Sequence, residues 1–332
     1  MLILRHSEVV ELLSMREREV IEAVRAAYIA HERAETCVPH STFLTPASWH
    51  RDRVIALPAY LGDDQPVAGL KWIASFPNNL TRDLERASAV IIMNSVTTGR
   101  PEALIEGSLI SAQRTAASAA LSVTCMRPSI SDATVAVIGA GKINLEIMRF
   151  LGVMMRQPLT IRVYDQSGLR AAQWGRRCEL LVPGARTCVA ESLESAIAKA
   201  SIVSLATTAS TPYICDLSNT AADAVILNIS LRDIDPHVIM TSRNVVDDPD
   251  HVFREQTSLQ RAEELAGTRE FVIGTIGDAL RRNRSPCPDE RVIVSPFGLG
   301  VLDLAVARLV LRLAQASNAG LAVSGFLPGH DG

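Results

Sequence analysis

Two different patterns of apolar and polar residues divide the chain. In its first part, apolar residues recur every three to four positions over Glu17–Ala34, which predicts an amphipathic helix. Runs rich in β-branched and aromatic residues follow, separated by turns of Gly, Asp, Pro and Asn. They predict the strands Arg53–Tyr60, Val67–Ser75 and Ala89–Asn94. A stretch rich in Ala and Ser, Gly107–Cys125, then predicts a helix that packs closely on its neighbours.

From Thr134 onward, short apolar runs alternate with helical stretches. This alternation is typical of a doubly wound parallel sheet with helices on both faces. The predicted strands are Thr134–Ile138, Leu159–Tyr164, Arg186–Ala190, Ser201–Ala206, Ala224–Ile229, Asn244–Val246 and Arg291–Ser295. A turn then leads into a last amphipathic helix, Asp303–Ser317. The predicted fold class is α/β, a Rossmann-type doubly wound parallel sheet combined with an α+β domain.

The change of pattern predicts two domains in the 332 residues. The first domain is expected to span residues 1–126 and to be completed by the C-terminal segment 303–332, which packs back on it. The second domain is expected to span residues 127–302. Because the parallel sheet lies in the second domain, substrate contacts are expected mainly from the first.

The composition narrows the class of protein. An apolar fraction of 48% and a charged fraction of 21% are those of a globular protein, and a net charge of −3 argues against a nucleic-acid partner. No uninterrupted apolar run reaches the length of a membrane span, and the N-terminal residues lack the basic-then-apolar pattern of a signal peptide. The six cysteines show no CxxC spacing, which indicates reduced thiols in a cytoplasmic protein without a metal site.

A glycine turn joins the first predicted strand of the second domain to a helix. Val137-Ile138-Gly139-Ala140-Gly141 runs into the helical stretch Lys142–Met154, and Asp165 ends the next strand about 20 residues past the turn. This arrangement predicts a dinucleotide site, with the pyrophosphate at the helix N-terminus and the ribose on the acid. Asn144 stands where the fingerprint has its third glycine, which we interpret as a tolerated variation. Because Asp165 would repel a 2′-phosphate and no Arg follows it directly, we expect NAD rather than NADP.

Several charged residues interrupt apolar surroundings. Lys71 lies on an otherwise apolar strand, where it either points to solvent or projects into a polar cleft, and its face of the strand favours the cleft. Arg114 lies on a helix of small residues and could clamp a carboxylate or lie on the surface. Arg53 and Arg86 are weaker candidates, since structural salt bridges explain them equally well. Asp233 follows a predicted strand, where it could contact a substrate or serve as a turn residue.

Taken together, these motifs resemble the ornithine cyclodeaminase/μ-crystallin family over nearly the whole chain. The matching segments are Gly69-Leu70-Lys71-Trp72, Arg114-Thr115-Ala116-Ala117, Val137-Ile138-Gly139-Ala140-Gly141, Asp233 and the turn Gly298–Asp303. Within the family, Leu84-Glu85-Arg86-Ala87-Ser88 is similar to the branch that makes 2,3-diaminopropionate for siderophores and peptide antibiotics.

The resemblance implies an NAD-dependent dehydrogenase of amino-acid C–N bonds and a homodimer built through the first domain. Enzymes of this branch oxidise N-(2-amino-2-carboxyethyl)-L-glutamate, a small substrate with several carboxylates, and hydrolyse the imine to 2-oxoglutarate and L-2,3-diaminopropionate. The resemblance makes Lys71 and Asp233 the expected catalytic residues. The expected substrate-binding residues are Arg53, Lys71, Arg86 and Arg114. The expected cofactor-binding residues are Gly139, Ala140, Gly141, Lys142, Ile143, Asp165, Thr207, Thr208, Ser230 and Gly298.

Two departures from the family pattern bear on the substrate. The segment 38–45 usually carries a basic residue, and here it has only His40. Ile55 stands where ornithine-cyclising members place a glutamate, which argues against ornithine cyclisation. The alternatives are an ornithine cyclodeaminase or a ketimine or imino-acid reductase of the same family and, in another class, a non-catalytic NAD(P)H-dependent small-molecule binding protein.

Overall fold

Two sheets with different strand arrangements organise the chain. In a computed structural model, residues 1–50, 52–128, 133–155 and 158–328 are described, without the side chain of Leu80. The chain divides into a first unit, residues 1–114 with 299–332, and a second unit, residues 115–298. Residues 329–332 of the predicted C-terminal segment lie outside the described residues.

The strands and helices are numbered along the chain. The strands of the first unit are β1 Leu2–Leu4, β2 Thr36–Cys37, β3 Thr42–Leu44, β4 Arg53–Leu61, β5 Val67–Ser75, β6 Ala87–Asn94, β7 Pro101–Glu106 and β16 Leu321–Ala322. Those of the second unit are β8 Thr134–Ile138, β9 Thr160–Tyr164, β10 Arg186–Val189, β11 Ile202–Leu205, β12 Val225–Asn228, β13 Arg243–Val246, β14 Val272–Thr275 and β15 Val292–Ser295. The helices are α1 His6–Leu13, α2 Glu17–Glu32, α3 Ser108–Met126, α4 Lys142–Met155, α5 Gly168–Leu181, α6 Leu193–Ile197, α7 Pro236–Met240, α8 Pro249–Val252, α9 Ser258–Ala266, α10 Ile276–Arg282 and α11 Gly300–Ser317, with a 3₁₀ helix at Pro77–Arg82.

The sheet of the first unit is mostly antiparallel. Its strands lie in the order β16-β1-β7-β6-β5-β4-β2, with β3 also paired to β4, and only the β1–β7 pair among them is parallel. Helix α11 packs on β4 and β5 and also contacts α2. Because side chains alternate along a strand, β5 buries Lys71 and Ser75 on one face and exposes Trp72 on the other.

The sheet of the second unit is parallel throughout its described strands. The order is β10-β9-β8-β11-β12-β15-β13-β14. Strands β8, β11 and β12 are apolar and almost completely buried, as expected for a sheet covered on both faces. The chain winds outward in opposite directions from β8 and β11, and ligands of such sheets bind at the carboxyl ends of strands at this point of reversal.

Most predicted elements are present, with shifts of up to three residues at their ends. The α/β class and the parallel sheet are confirmed. The elements that were not predicted include the helix α1, the 3₁₀ helix and the strands β1, β2, β3, β7, β14 and β16. Strand β7 begins with a proline and carries a glutamate at each end, so its short apolar run is a weak strand signal.

Candidate functional site

A buried carboxylate joins two of the predicted cations in the first unit. Asp303, on α11, accepts a hydrogen bond from Lys71 Nζ at 2.6 Å through Oδ2 and one from Arg114 Nε at 3.1 Å through Oδ1. Lys71 Nζ also donates to Ser111 Oγ at 3.2 Å. Asp303 and Lys71 are almost completely buried, and Arg114 is partly exposed. The two cations predicted to bind carboxylate therefore lie side by side.

Burial changes the acidity of this lysine. It lowers the pKa of Lys71 to about 8, and the charge of Arg114 acts in the same direction, while Asp303 opposes both. A lysine with this pKa is mostly charged at neutral pH and loses its proton as the pH rises past about 8. It can therefore bind an anion when charged and exchange a proton with a substrate.

Two glycines allow the helix that carries Asp303 to approach the sheet. A Cβ atom on Gly69 of β5 would lie 3.0 Å from Leu304 Cδ2, and one on Gly300 of α11 would lie 3.1 Å from the carbonyl oxygen of Leu57. Larger residues would push α11 away from the strand. The glycines thus place Asp303 within hydrogen-bond distance of Lys71.

The other two predicted cations meet at the end of the same strand face. Arg86 Nη1 donates to Ser75 Oγ at 3.0 Å, and Arg53 is the register partner of Ser75 across β4 and β5. Burial and, second, the charge of Arg53 lower the pKa of Arg86. These two guanidinium groups are partly buried and lie near each other, and both can donate hydrogen bonds to an anion.

The glycine turn of the second unit has the geometry that a dinucleotide needs. Gly139 has a φ of 95°, and a Cβ there would lie 2.6 Å from the carbonyl oxygen of Ala206, so another residue does not fit. A Cβ on Gly141 would meet no atom within 4 Å, which leaves room beside the first turn of α4. Ala140 and Ile143 are partly buried, and Lys142 is exposed at the start of the helix. The backbone N–H groups of the first turn of a helix have no acceptor within the helix, and this helix end therefore fits a pyrophosphate.

Asn144 holds the glycine turn together. Its buried Nδ2 donates to the carbonyl oxygens of Ile138 at 3.0 Å and Gly139 at 2.7 Å, and its Oδ1 accepts from Ser204 Oγ at 2.7 Å. Trp174 Nε1 fixes the next part of the turn by donating to the carbonyl oxygen of Gly141 at 3.0 Å. The side chain at the third fingerprint position therefore bonds the turn to β11.

Asp165 lies beside this turn at the end of β9. Its Oδ2 accepts from the backbone N–H of Ala140 at 2.9 Å, and its Oδ1 accepts from that of Ser167 at 2.9 Å. Each carboxylate oxygen has a second lone pair, so the group can still accept ribose hydroxyls. The largely exposed Arg170 lies 3.6 Å from Asp165 Oδ2, a neighbour that the sequence did not show to be close. The residues present fit an NAD molecule.

Asp233 is buried at the carboxyl end of β12. Its Oδ1 accepts from Thr207 Oγ1 at 2.5 Å, and burial raises the pKa of the carboxyl group to about 6. Thr207 Oγ1 also accepts from the backbone N–H of Ala209, whereas Thr208 is exposed. Ser230 Oγ donates to the carbonyl oxygen of Leu205 at 3.0 Å. Of the predicted cofactor-binding residues in this region, Thr207 is bonded to the predicted catalytic acid.

A second buried carboxylate, Asp247, holds the turn that contains Gly298. It accepts from the backbone N–H of Phe297 at 2.9 Å and from that of Gly298 at 2.6 Å, and burial raises its pKa. Gly298 has a φ of 98°, a conformation that favours glycine.

The sequence did not predict the contacts of three residues of the site. These residues are Asp303, which pairs with Lys71, Asn144, which bonds the glycine turn to β11, and Asp247, which bonds the turn at Gly298. A usable signal existed for Asp303, which is the charged residue among the apolar positions that open α11. In the described parts of the chain, no group of His, Cys, Asp and Glu could hold a metal ion. No helix among the same residues is long and apolar enough to span a membrane.

The family model for the ornithine cyclodeaminase/mu-crystallin family matches residues 1–318, and the chain belongs to this family. An N-((2S)-2-amino-2-carboxyethyl)-L-glutamate dehydrogenase of Staphylococcus aureus is 28% identical over 329 residues, covering 96% of this chain and 97% of that protein.

Two solved structures share the fold. Δ(1)-pyrroline-2-carboxylate reductase of Thermococcus litoralis, in complex with NADH and L-proline, superimposes with a TM-score of 0.88 at 24% identity, covering 97% of this chain and all of that one. An archaeal alanine dehydrogenase dimer with bound NAD superimposes with a TM-score of 0.85 at 24% identity, covering 98% and 99% of the two chains.

Proposed function

We propose that the protein is an NAD-dependent dehydrogenase that oxidises N-(2-amino-2-carboxyethyl)-L-glutamate and releases 2-oxoglutarate and L-2,3-diaminopropionate. The observation that carries the proposal is the presence of two pairs of cations on one face of β5. Lys71 and Arg114 form the first pair, and Arg53 and Arg86 form the second. The relative from Staphylococcus aureus, which covers nearly the whole of both chains, supports the same substrate.

The spacing of the two pairs suits a long anionic substrate. Lys71 and Ser75 are four residues apart on β5, which corresponds to about 13 Å along an extended strand. Ile55 and Ile73, which pair across β4 and β5, lie between them. The face therefore offers positive charge at both ends and apolar side chains in the middle, which matches a conjugate with carboxylates at both ends and a carbon chain between them.

Each residue has a task in the proposed reaction. Lys71 and Arg114 bind an α-carboxylate, while Asp303 keeps their side chains in place. Arg53 and Arg86 bind the distal carboxylate. The bound cofactor supplies a hydride acceptor. Loss of a hydride from the glutamyl α-carbon and release of the proton of the secondary amine to solvent leave a C=N bond, to which water adds before the amine departs. Asp233, with a pKa of about 6, transfers the two protons of that water to the nitrogen one after the other, the first as the O–C bond forms and the second as the C=O bond forms and the C–N bond breaks.

NAD rather than NADP is the proposed cofactor. Asp165 places a negative charge where the ribose hydroxyls of NAD bind, and Trp174 next to Gly141 provides a fluorescent reporter of binding. Titration of both cofactors should show tighter binding of NAD. The substitution Asp165→Ala should weaken NAD binding and leave Arg170 available for a 2′-phosphate. The difference between the affinities for NAD and NADP should therefore become smaller. Equal affinities in the unmodified protein would contradict this assignment.

The protein is further proposed to form a homodimer through the exposed face of the first sheet. Trp72, Tyr60 and Val90 are exposed apolar side chains on that face, opposite to α11. Apolar patches of this kind mark protein contacts. The dimeric archaeal alanine dehydrogenase of the same fold supports the proposal.

A substrate panel tests the reaction. The protein and NAD are incubated with the synthetic conjugate, with L-ornithine and with cyclic imino acids, while the absorbance of reduced nicotinamide is followed. The proposal expects reduced nicotinamide, 2-oxoglutarate and diaminopropionate from the conjugate. Lys71→Ala and Arg114→Ala should each lose several kcal/mol of transition-state stabilisation. Ammonia and proline from ornithine would instead identify a cyclodeaminase, which Ile55 disfavours.

Two further outcomes of the panel separate the remaining alternatives. Reduction of an imino acid by NADH without oxidation of the conjugate would indicate a reductase. Ligand binding without any turnover would indicate a non-catalytic binding protein. A diaminopropionate-forming synthase encoded beside this protein would support a role in siderophore or peptide antibiotic biosynthesis.

A further inference from the structure

Tyr213, in the segment after β11, is held beside Asp233 by the backbone. The N–H groups of Tyr213 and Ile214 both donate to the carbonyl oxygen of Asp233 at 2.9 Å, and Ile214 forms a parallel bridge with Ile234. These contacts tie the segment after β11 to the segment after β12. The position of the tyrosine relative to the carboxyl group therefore does not depend on a flexible side chain alone.

The polar atoms of this cluster, Thr207, Tyr213 and Asp233, are incompletely bonded. Thr207 occupies Asp233 Oδ1, whereas Asp233 Oδ2 and the Tyr213 hydroxyl are both buried and lack a hydrogen-bond partner within the described residues. A buried polar group without a partner destabilises the fold, so native proteins rarely keep two such groups together unless they have a function. In ligand-free enzymes, catalytic hydrogen bonds are often long and tighten when the substrate binds.

The surroundings keep the tyrosine a hydrogen-bond donor. Burial and the charge of Asp233 raise the pKa of Tyr213, and Tyr164 acts in the same direction. Burial raises the pKa of Asp233, while the hydroxyls of Thr207 and Tyr213, followed by the charge of Arg232, lower it. Arg232 donates through Nη2 to the carbonyl oxygen of Glu255 at 2.6 Å.

We propose that Tyr213 is a positioning residue that holds Oδ2 of Asp233 and makes this carboxyl group a reversible proton carrier during imine hydrolysis. Tyr213 donates to one lone pair of Oδ2 and leaves the other for the attacking water. Asp233 takes one proton from the water as the O–C bond forms and gives it to the nitrogen. It then takes the remaining hydroxyl proton as the C=O bond forms and gives that proton to the nitrogen as the C–N bond breaks, so both protons of the water end on the released amine. The chemical step rests on the proposed function, whereas the coupling of Tyr213 to Asp233 does not.

The first test is the pH profile of kcat/KM for the conjugate. Tyr213→Phe removes the donor and little else, so the acid limb should move to higher pH by about half a unit or more. Thr207→Val should shift it in the same direction, and Thr207→Ser, which keeps the hydroxyl, should not. An acid limb that stays in place in Tyr213→Phe means that the tyrosine has only a structural role.

The second test needs no substrate. Because the folded pKa of Asp233 lies above its ordinary value, its contribution to stability is complete below about pH 4 and is lost as the pH rises through about 6. The free energy of unfolding is therefore measured across pH for the protein and for Asp233→Asn. The pH at which the difference between the two curves changes gives the pKa of Asp233. When the same comparison is made between Tyr213→Phe and the double variant that also carries Asp233→Asn, the difference should change at a higher pH.

The two tests separate the inference from the proposed reaction. If the conjugate is not oxidised but the unfolding difference still moves, the substrate assignment is wrong and the coupling stands. If the unfolding difference has the same midpoint with and without the Tyr213 hydroxyl, the inference is overturned whatever the substrate.

Discussion

Asp303 provides the counter-charge for Lys71 and Arg114. Its buried carboxylate lies between an ammonium and a guanidinium, and each is bonded to a different carboxylate oxygen. One negative charge thus lies between two positive charges, so the cluster of Lys71, Arg114 and Asp303 has a net charge of about +1 when Lys71 is protonated. This excess of positive charge is consistent with the proposed site for an anionic substrate, whose carboxylate would supply the second negative charge.

Removal of that carboxylate should be severely destabilising. In Asp303→Asn, the buried Lys71 and the partly exposed Arg114 lose their counter-charge, and we expect the free energy of unfolding to fall by about 3–5 kcal/mol. Asp63→Asn is a matched control, since Asp63 pairs with Arg308 of the same helix but is more exposed. It should cost about 1 kcal/mol or less. Denaturant unfolding measures both, and equal losses would show that burial of the Lys71 cluster has no special role.

The acidity of Lys71 should appear in the pH dependence of substrate binding. Its pKa of about 8 means that the ammonium is charged below this pH and neutral above it. KM for the conjugate should therefore rise as the pH increases past about 8. Lys71→Arg keeps a permanent charge, so this rise should disappear even if turnover is slower. A basic limb that persists in the arginine variant would assign the titration to another group.

The individual cations could be predicted from the sequence, but their pairing could not. Lys71 stands out because an ammonium on an apolar strand needs a partner. Its partner is 232 positions away in the chain, and only the packing of α11 on β5 brings the two together. Tyr213 gave no signal, because a tyrosine after a strand is an ordinary apolar residue until the backbone places it beside a carboxylate.

At the level of elements, the connection between β8 and α4 shows how a departure from a motif is accommodated. A glycine at position 144 would permit close packing without any bond. Asn144 instead makes three hydrogen bonds, to Ile138, Gly139 and Ser204. The side chain is part of the turn, so its replacement should disturb the dinucleotide site as well as the helix.

Substitutions at position 144 should separate these effects. Asn144→Ala leaves two backbone carbonyls and Ser204 with fewer partners, and we expect a loss of about 2–4 kcal/mol in unfolding free energy and weaker NAD binding. Asn144→Asp should be worse, because a carboxylate faces the same carbonyls. Ser204→Ala removes one of the three bonds and should have the smallest effect. If Asn144→Gly binds NAD as tightly as the parent protein, the bridging role is contradicted.

The elements themselves were predictable where the pattern was strong. Strands β8, β11 and β12 are continuous apolar runs, and the glycine turn indicates that the helix α4 begins directly after it. Strand β14 was missed because its four partly buried residues include Gly274 and lie at the edge of the sheet. Short edge strands bury little, so their sequences carry little of the alternation on which prediction depends.

At the scale of the whole molecule, the two faces of the first sheet differ. One face is covered by α11 and carries the buried cluster of Lys71, Arg114 and Asp303. On the other face, Trp72 pairs in register with Val90, and the two residues are 42% and 37% exposed. Adjacent exposed apolar side chains on one face of a sheet favour contact with another protein surface.

A charge placed on this face should therefore change the oligomeric state. In Trp72→Glu, dimerisation would require burial of an unpaired carboxylate, so sedimentation velocity should show monomers where the parent protein sediments as a dimer. Leu180→Glu, at an 86% exposed position of α5 in the second unit, introduces the same charge and should leave the dimer intact. Because Trp72 lies on the face opposite to Lys71, the variant should keep its helical content. A parent protein that is monomeric at all concentrations, or a Trp72→Glu variant that still dimerises, would exclude this face as the interface.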